Sequence, residues 1–366
     1  MSIVFFIAGL VLLVVGAEAL VKGASRLAAA FRISPLVIGL TVVAFGTSAP
    51  ELAVSIKAAF ADQASIAVGN VVGSNIFNVL FILGLSALIV PLVVSAQLIR
   101  LDVPLMVALS VAVFLLAMDG LISRADGLLL VGGLIVYIVF LIVQSRRDTA
   151  AAEAAAAACE NPEELADAID NPRWLLNLSL VLGGLALLVL GSRWLVDAAI
   201  AFAQYFGVSE LVIGLTIVAA GTSMPEVVTS IVAAMRGERD IAVGNVVGSN
   251  IFNLMAVLGV SSVVAPSGIE ISDAVIAFDL PIMLAVAFAC LPIFFTGGVI
   301  RRYEGGILLG YYVLYTLYLI FASTQHDLLN EYSTVLVWFV MPLTALTILI
   351  TLVQDLRRRR NTLRAD

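Results

Sequence analysis

The chain has 366 residues, 62% of them hydrophobic and 12% charged, with a formal net charge of −7 and a mean hydropathy of +1.12. Too few polar side chains remain to cover a water-facing surface, so a soluble globular protein is excluded and a bilayer is the implied solvent. The acidic balance says little about partners, because many of the acids lie in a single loop.

Apolar runs long enough to cross about 30 Å of hydrocarbon fall near 3–21, 36–60, 66–90, 101–118, 128–143, 174–191, 209–235, 241–265, 274–295, 306–322 and 333–353. The runs are continuously apolar and do not alternate, which predicts helices and not barrel strands. The first has no basic start and leads straight into further spans, so it is read as a membrane helix and not a cleaved leader. With the amino terminus outside, 16 of the 19 Lys and Arg residues fall on the inner side, leaving Lys57, Arg124 and Arg193 outside. That split obeys the positive-inside rule and places the carboxyl-terminal Arg357 to Arg360 run in the cytoplasm.

Residues 36–84 recur without a gap as 211–259, identical at 32 of 49 positions. Five spans separate the starts of the two copies. An odd number means that they cross the membrane in opposite directions, and inverted repeats of this kind put a shared site near the midplane. The expected architecture is an all-α polytopic membrane protein of two inverted five-helix repeats, ten core helices in all, plus an eleventh C-terminal helix. The units are 1–145, an acidic cytoplasmic linker at 146–173, 174–323, and a last helix with a basic tail at 324–366.

Each copy sets one carboxylate, Glu51 or Glu226, in apolar sequence, and a charge at that depth marks a functional site by default. Ala44, Thr47, Ser48, Glu51 and Ser55 share one helical face, and Ala219, Thr222, Ser223, Glu226 and Ser230 repeat it. Pro50 and Pro225 lack the amide that would bond the carbonyl of Gly46 or Gly221, so main-chain oxygens are freed beside the glutamates, where a cation can take them up. The following spans carry Asn70, Ser74 and Asn78, and Asn245, Ser249 and Asn253, each spaced by four. Asn70 and Asn245 could touch the ion or could equally be hydrogen-bond glue between helices. Gly69, Gly73, Gly244 and Gly248 form G-x-x-x-G spacings for close helix approach. Glutamates, hydroxyls, amides and carbonyls make an all-oxygen cage suited to Ca²⁺ or Na⁺ and not to zinc or copper.

Weaker symmetry pairs Arg124-Ala-Asp126-Gly127 with Arg302-Tyr-Glu304-Gly305, and Asp102-Val-Pro104 with Asp279-Leu-Pro281. Asp102 and Asp279 are expected to be helix caps. Glu18 with Lys22, and Arg193 with Asp197, are expected to form local i,i+4 ion pairs. Cys159 and Cys290 suggest neither a disulfide nor a metal cluster, and His326, the single histidine, is too peripheral for a proton relay.

The doubled motifs G-T-S-x-P-E and G-N-V-V-G-S-N-I-F-N resemble the alpha-repeats of the cation/Ca²⁺ exchanger superfamily, most closely its prokaryotic sodium/calcium exchanger branch. The resemblance implies a secondary antiporter, not an enzyme, in a prokaryotic inner membrane. Its substrates would be inorganic cations, with no cofactor and no nucleic-acid partner. It also implies Glu51 and Glu226 as central ligands, and Thr47, Ser48, Thr222 and Ser223 as lining residues. Ala44 and Ala219 would offer main-chain oxygens, and Ser74, Asn78, Ser249 and Asn253 would complete the sites. Several family members carry Asp where Asn78 or Asn253 stands here, and K⁺-dependent relatives also use Asp in this region; Asn at both positions leaves two formal negative charges. The first and sixth helices are expected to slide across a more rigid core. Ca²⁺/H⁺ exchange is the alternative coupling. A passive channel would need a filter such as TVGYG, which the sequence lacks.

Overall fold

The long Leu, Val, Ile and Ala runs form helices in the computed structural model, which describes residues 2–157, 174–206, 217, 219–295, 297–326, 328–336 and 338. In chain order these are α1 (Ser2–Phe31), the broken α2 (Pro35–Thr47 and Ala49–Phe60), α3 (Ala64–Ile89), α4 (Leu98–Asp119), α5 (Arg124–Ala157), α6 (Trp174–Tyr205), α7 (Met224–Met235), α8 (Arg239–Val264), α9 (Val275–Phe295), α10 (Arg302–Ser323) and α11 (Leu329–Val335). Eight of the described helices are long and apolar enough to span a bilayer, nine if the two pieces of α2 count as one span. The expected seventh span is described only from its middle onward. Most of the expected eleventh, and most of the acidic linker, lie outside the described residues.

Burial sorts these helices into a core and a rim. The most apolar stretch of α8 is 100% buried and that of α3 72%, whereas those of α1, α5 and α9 are 28% buried and that of α10 is 11%. A helix in lipid needs no hydrophobic drive to expose Leu and Val, so it associates where small residues allow close packing. α1 and α6 run antiparallel on this principle: a Cβ on Gly16 would lie 2.8 Å from the carbonyl oxygen of Gly184, and one on Gly9 2.8 Å from that of Gly191. Gly244 and Gly248 of α8 press against Leu36 and Leu40 of α2 in the same way. The counterparts that Gly69 and Gly73 would meet by symmetry, residues 211–218, fall almost wholly outside the described residues.

Four short strands tie the halves together. β1 (Leu92–Val93) pairs antiparallel with β4 (Val299–Ile300), with Leu92 opposite Ile300, and β2 (Leu121–Ile122) with β3 (Ile269–Glu270), with Leu121 opposite Glu270. Each ladder thus takes one strand from each half of the chain.

Two expectations for acids at helix ends are corrected. Asp102 is fully buried and makes no cap; its carboxylate accepts hydrogen bonds from Tyr137 Oη at 2.8 Å and Gln97 Nε2 at 3.4 Å. Asp279 is held in the same manner by Tyr315, on α10. The preceding chain winds as a wide π-helix at Leu98–Asp102 and Val275–Asp279, which ends with Asp102 buried and Asp279 half-buried. The caps of α5 and α10 belong to Asp126, which accepts from the Ser123 amide at 2.9 Å, and Glu304, which accepts from the Arg301 amide at 2.7 Å. The ion-pair expectation also changes: Glu18 reaches across to Arg236, at the end of α7.

Candidate cation-binding site

The break in α2 follows from its sequence. Pro50 has no amide proton and its ring crowds the carbonyl four residues back, so the helix stops at Thr47, turns through Ser48 at φ −80° and ψ 4°, and restarts at Ala49, bent by 45°. Pro225 does the same after Ser223, at φ −88° and ψ 8°. Glu51 and Glu226 therefore occupy the first turns of half-helices, where the partial positive charge of free amides favours an anion. Both carboxylates are buried, at 0% and 1% exposure, and close enough to interact electrostatically.

The hydrogen bonds around them cross between the halves. Ser223 Oγ donates to Glu51 Oε1 at 2.8 Å, and Ser48 Oγ donates to Glu226 Oε1 at 3.1 Å. Ser223 also lies 3.3 Å from Ser74 Oγ. Thr47 Oγ1 bonds Asn245 Oδ1 at 3.1 Å and the Ala44 carbonyl at 3.3 Å. Among the described residues, the side chains that hydrogen-bond the two carboxylates are neutral hydroxyls.

Several candidates are occupied with structural work. Asn70 Nδ2 donates to the Glu51 carbonyl at 3.0 Å and to Ser55 Oγ at 2.9 Å, and Asn245 Nδ2 to Ser230 Oγ at 2.9 Å. These amides brace α3 and α8 against the half-helices that carry the glutamates. The Gly221 carbonyl freed by Pro225 accepts from Ser192 Oγ on α6 at 2.7 Å, so that oxygen is satisfied by protein where a cation was expected to take it. Ala219 lies in the single helical turn Ala219–Gly221.

Other oxygens remain open. Among the described residues, Glu51 Oε2, Glu226 Oε2, Asn78 Oδ1, Asn253 Oδ1, Ser249 Oγ and Thr222 Oγ1 are buried without a hydrogen-bond partner; Thr222 faces Glu51 but misses hydrogen-bond geometry. Buried polar atoms are costly when unpaired; six of the ten such atoms among the described residues belong to residues that the sequence marks as ligands, and the other four lie on Ser86, Gln144, Thr229 and Ser261. Hard cations accept such a set, Ca²⁺ commonly taking about six to eight oxygens. Asn78 and Asn253 each open a π-helical segment, Asn78–Leu83 and Asn253–Val257, a widening often found at functional positions.

Asn75 and Asn250, which the sequence reading passed over, join the site from behind: Asn253 Nδ2 donates to Asn75 Oδ1 at 3.1 Å, and Asn78 Nδ2 to Asn250 Oδ1 at 3.0 Å. They stand one position beyond Ser74 and Ser249 and so leave the i,i+4 row that drew attention to the others. Their presence in both copies of I-A-V-G-N-V-V-G-S-N-I-F-N was the available signal.

The family profile described as "Sodium/calcium exchanger protein" matches residues 1–143 and 176–321. The chain belongs to the sodium/calcium exchanger protein family. It is 40% identical over 323 residues to the putative antiporter CaxA of Alkalimonas amylolytica, covering 87% of this chain and 98% of that one. It is 35% identical over 345 residues to the sodium/calcium exchanger MaX1 of Methanosarcina acetivorans, covering 86% and 97%. The fold is similar to that of the sodium-calcium exchanger NCX_Mj soaked with 10 mM Na⁺ and zero Ca²⁺, with a TM-score of 0.72, 30% identity, and coverage of 86% and 97%. This exchanger is accordingly a membrane-embedded cation/Ca²⁺ antiporter and not an enzyme.

Proposed function

We propose that this exchanger moves Ca²⁺ against Na⁺ by alternating access at a midplane site centred on Glu51 and Glu226. The observation that carries the proposal is the crossed Ser223–Glu51 and Ser48–Glu226 pairing, which engages one oxygen of each carboxylate and leaves the other buried and unpartnered, as are the amide oxygens of Asn78 and Asn253 and the hydroxyls of Thr222 and Ser249. Two buried carboxylates among neutral donors require positive charge from elsewhere. One Ca²⁺ or two Na⁺ supplies it equally, so the two loads exclude each other. A site that changes sides readily only when loaded then couples the two gradients. The relatives named as antiporter and sodium/calcium exchanger support the same reading.

Thr47, Ser48, Ser74, Asn78, Thr222, Ser223, Ser249 and Asn253 are assigned to the cage, with Ala44 and Ala219 lending main-chain oxygens. The glycine-lined α1–α6 contact supports motion of that pair as one body past the buried α3 and α8. The Lys and Arg distribution supports an external amino terminus and a cytoplasmic carboxyl terminus, and the prokaryotic relatives support residence in a prokaryotic inner membrane.

Protons are a second load with a specific argument, since the groups that would bind the cation are themselves carboxyls. ⁴⁵Ca²⁺ uptake into proteoliposomes loaded with Na⁺, compared with vesicles holding only an outward proton gradient, separates the two. Uptake driven by Na⁺ alone is expected; uptake driven by the proton gradient alone assigns Ca²⁺/H⁺ exchange instead.

A further inference from the structure

We propose that Asn75 and Asn250 are positioning residues that, backed by Met283 and Met106, fix which end of the Asn253 and Asn78 amides faces the transported cation. The inference rests on the assignment of Asn78 and Asn253 to the cage. An amide is two-faced: its oxygen attracts a cation and its NH₂ repels one, yet the two ends have nearly the same shape. A carboxylate has no such ambiguity. A site with Asn at both 78 and 253 therefore needs something to set the rotation of two neutral side chains.

The structure provides it twice. Asn75 directs its NH₂ at two atoms that can only accept, the Asn250 carbonyl at 3.4 Å and Met283 Sδ at 3.7 Å. Asn250 directs its NH₂ at Met106 Sδ at 3.5 Å. A thioether sulfur carries no proton and is a weak acceptor, so an amide oxygen turned toward it would meet lone pairs with lone pairs. With their NH₂ ends committed, Asn75 and Asn250 present Oδ1 to Asn253 Nδ2 and Asn78 Nδ2. Those two amides, their NH₂ ends so engaged, leave their own Oδ1 atoms buried and unpartnered, as are Oε2 of Glu51 and Oε2 of Glu226. The relays Met283–Asn75–Asn253 and Met106–Asn250–Asn78 are related by the duplication, and each crosses from one half of the chain to the other.

The test is a mutant cycle read as the KM for ⁴⁵Ca²⁺ in Na⁺-loaded proteoliposomes of the full chain: wild type, Asn75→Ala, Asn253→Asp and the double variant. Asn75→Ala frees Asn253 to rotate and is expected to raise KM roughly tenfold, the scale of outer-shell effects on metal sites, while the turnover number changes little. In the Asn253→Asp background the same substitution is expected to raise KM less than about threefold, because a carboxylate offers oxygen at either end. An equal factor in both backgrounds overturns the inference, since a carboxylate at position 253 does not rescue a loss of packing. Where Asn75→Ala does not insert, Met283→Leu removes the acceptor at nearly constant volume and is read by the same cycle. Absence of Na⁺-driven uptake in the wild type would instead refute the proposed exchange, and an unchanged KM in Asn253→Ala would refute the ligand assignment beneath the relay.

Discussion

Ser223 and Glu51, 172 positions apart, are joined by a 2.8 Å hydrogen bond that makes each half of the chain complete the other's carboxylate. Ser48 and Glu226 repeat the arrangement. A hydroxyl delivered from the opposite half holds one carboxylate oxygen in place and sets the direction of the second.

Glu51→Gln and Glu226→Gln are each expected to lower Na⁺-dependent ⁴⁵Ca²⁺ uptake by more than roughly a hundredfold, beyond the ten- to hundredfold range typical of groups outside the first coordination sphere. Glutamine keeps the shape and removes the charge, so both variants should elute as folded protein from size-exclusion chromatography. Near-normal uptake by either would remove the glutamates from the proposal.

The crossed serines should behave as a pair. A hydrogen bond to a charged group contributes about 1.5–3 kcal/mol, so Ser223→Ala and Ser48→Ala are each expected to raise the KM for Ca²⁺ by about tenfold or more. Kinetics of the single and double variants decide whether the halves act together: a combined effect well away from the product of the two single effects is expected if both hydroxyls serve one bound ion, as proposed.

If Glu51 and Glu226 bind the cation as proposed, protons compete with it for the same two carboxylates. Lowering the pH on the Ca²⁺ side is therefore expected to raise the KM for Ca²⁺ with the maximal rate preserved, and raising the pH to reverse it. A maximal rate that falls while KM stays constant would contradict competition at the site.

The α1–α6 contact can be tested on adjacent residues. A Cβ on Gly184 would come within 2.7 Å of the Gly16 carbonyl oxygen, whereas one on Gly183 would meet no described atom within 4 Å. Overpacking costs about 1–3 kcal/mol, so Gly184→Ala is expected to lower the thermal midpoint in detergent by several degrees and Gly183→Ala to leave it level or slightly raised. Equal shifts would mean that the glycines do not set the helix separation.

Tyr137→Phe leaves the buried Asp102 with Gln97 alone and is expected to destabilise the protein by about 1–3 kcal/mol. Tyr315→Phe should do the same to Asp279. Thermal melts of the two variants are the check, and unchanged midpoints would show that neither tyrosine is needed to satisfy its acid.

Composition and periodicity alone established the bilayer, the helices and the chemical character of the candidate site. Spacing alone placed Thr47, Ser48 and Glu51 on one face, and the 175-residue repeat placed Thr222, Ser223 and Glu226 on another, because a helix has a fixed 3.6-residue turn whatever surrounds it. Which face meets which was decided only by the tertiary structure. Glu18 takes its partner from α7, Ser192 claims the carbonyl that Pro225 frees, and Asp102 turns inward to a tyrosine. Asn75 enters the site although it lies off the row of Asn70, Ser74 and Asn78. Helices in lipid meet where small residues let backbones approach, and wide π-turns rotate the side chains that follow. Those choices depend on atoms far apart in the chain, which no local pattern records.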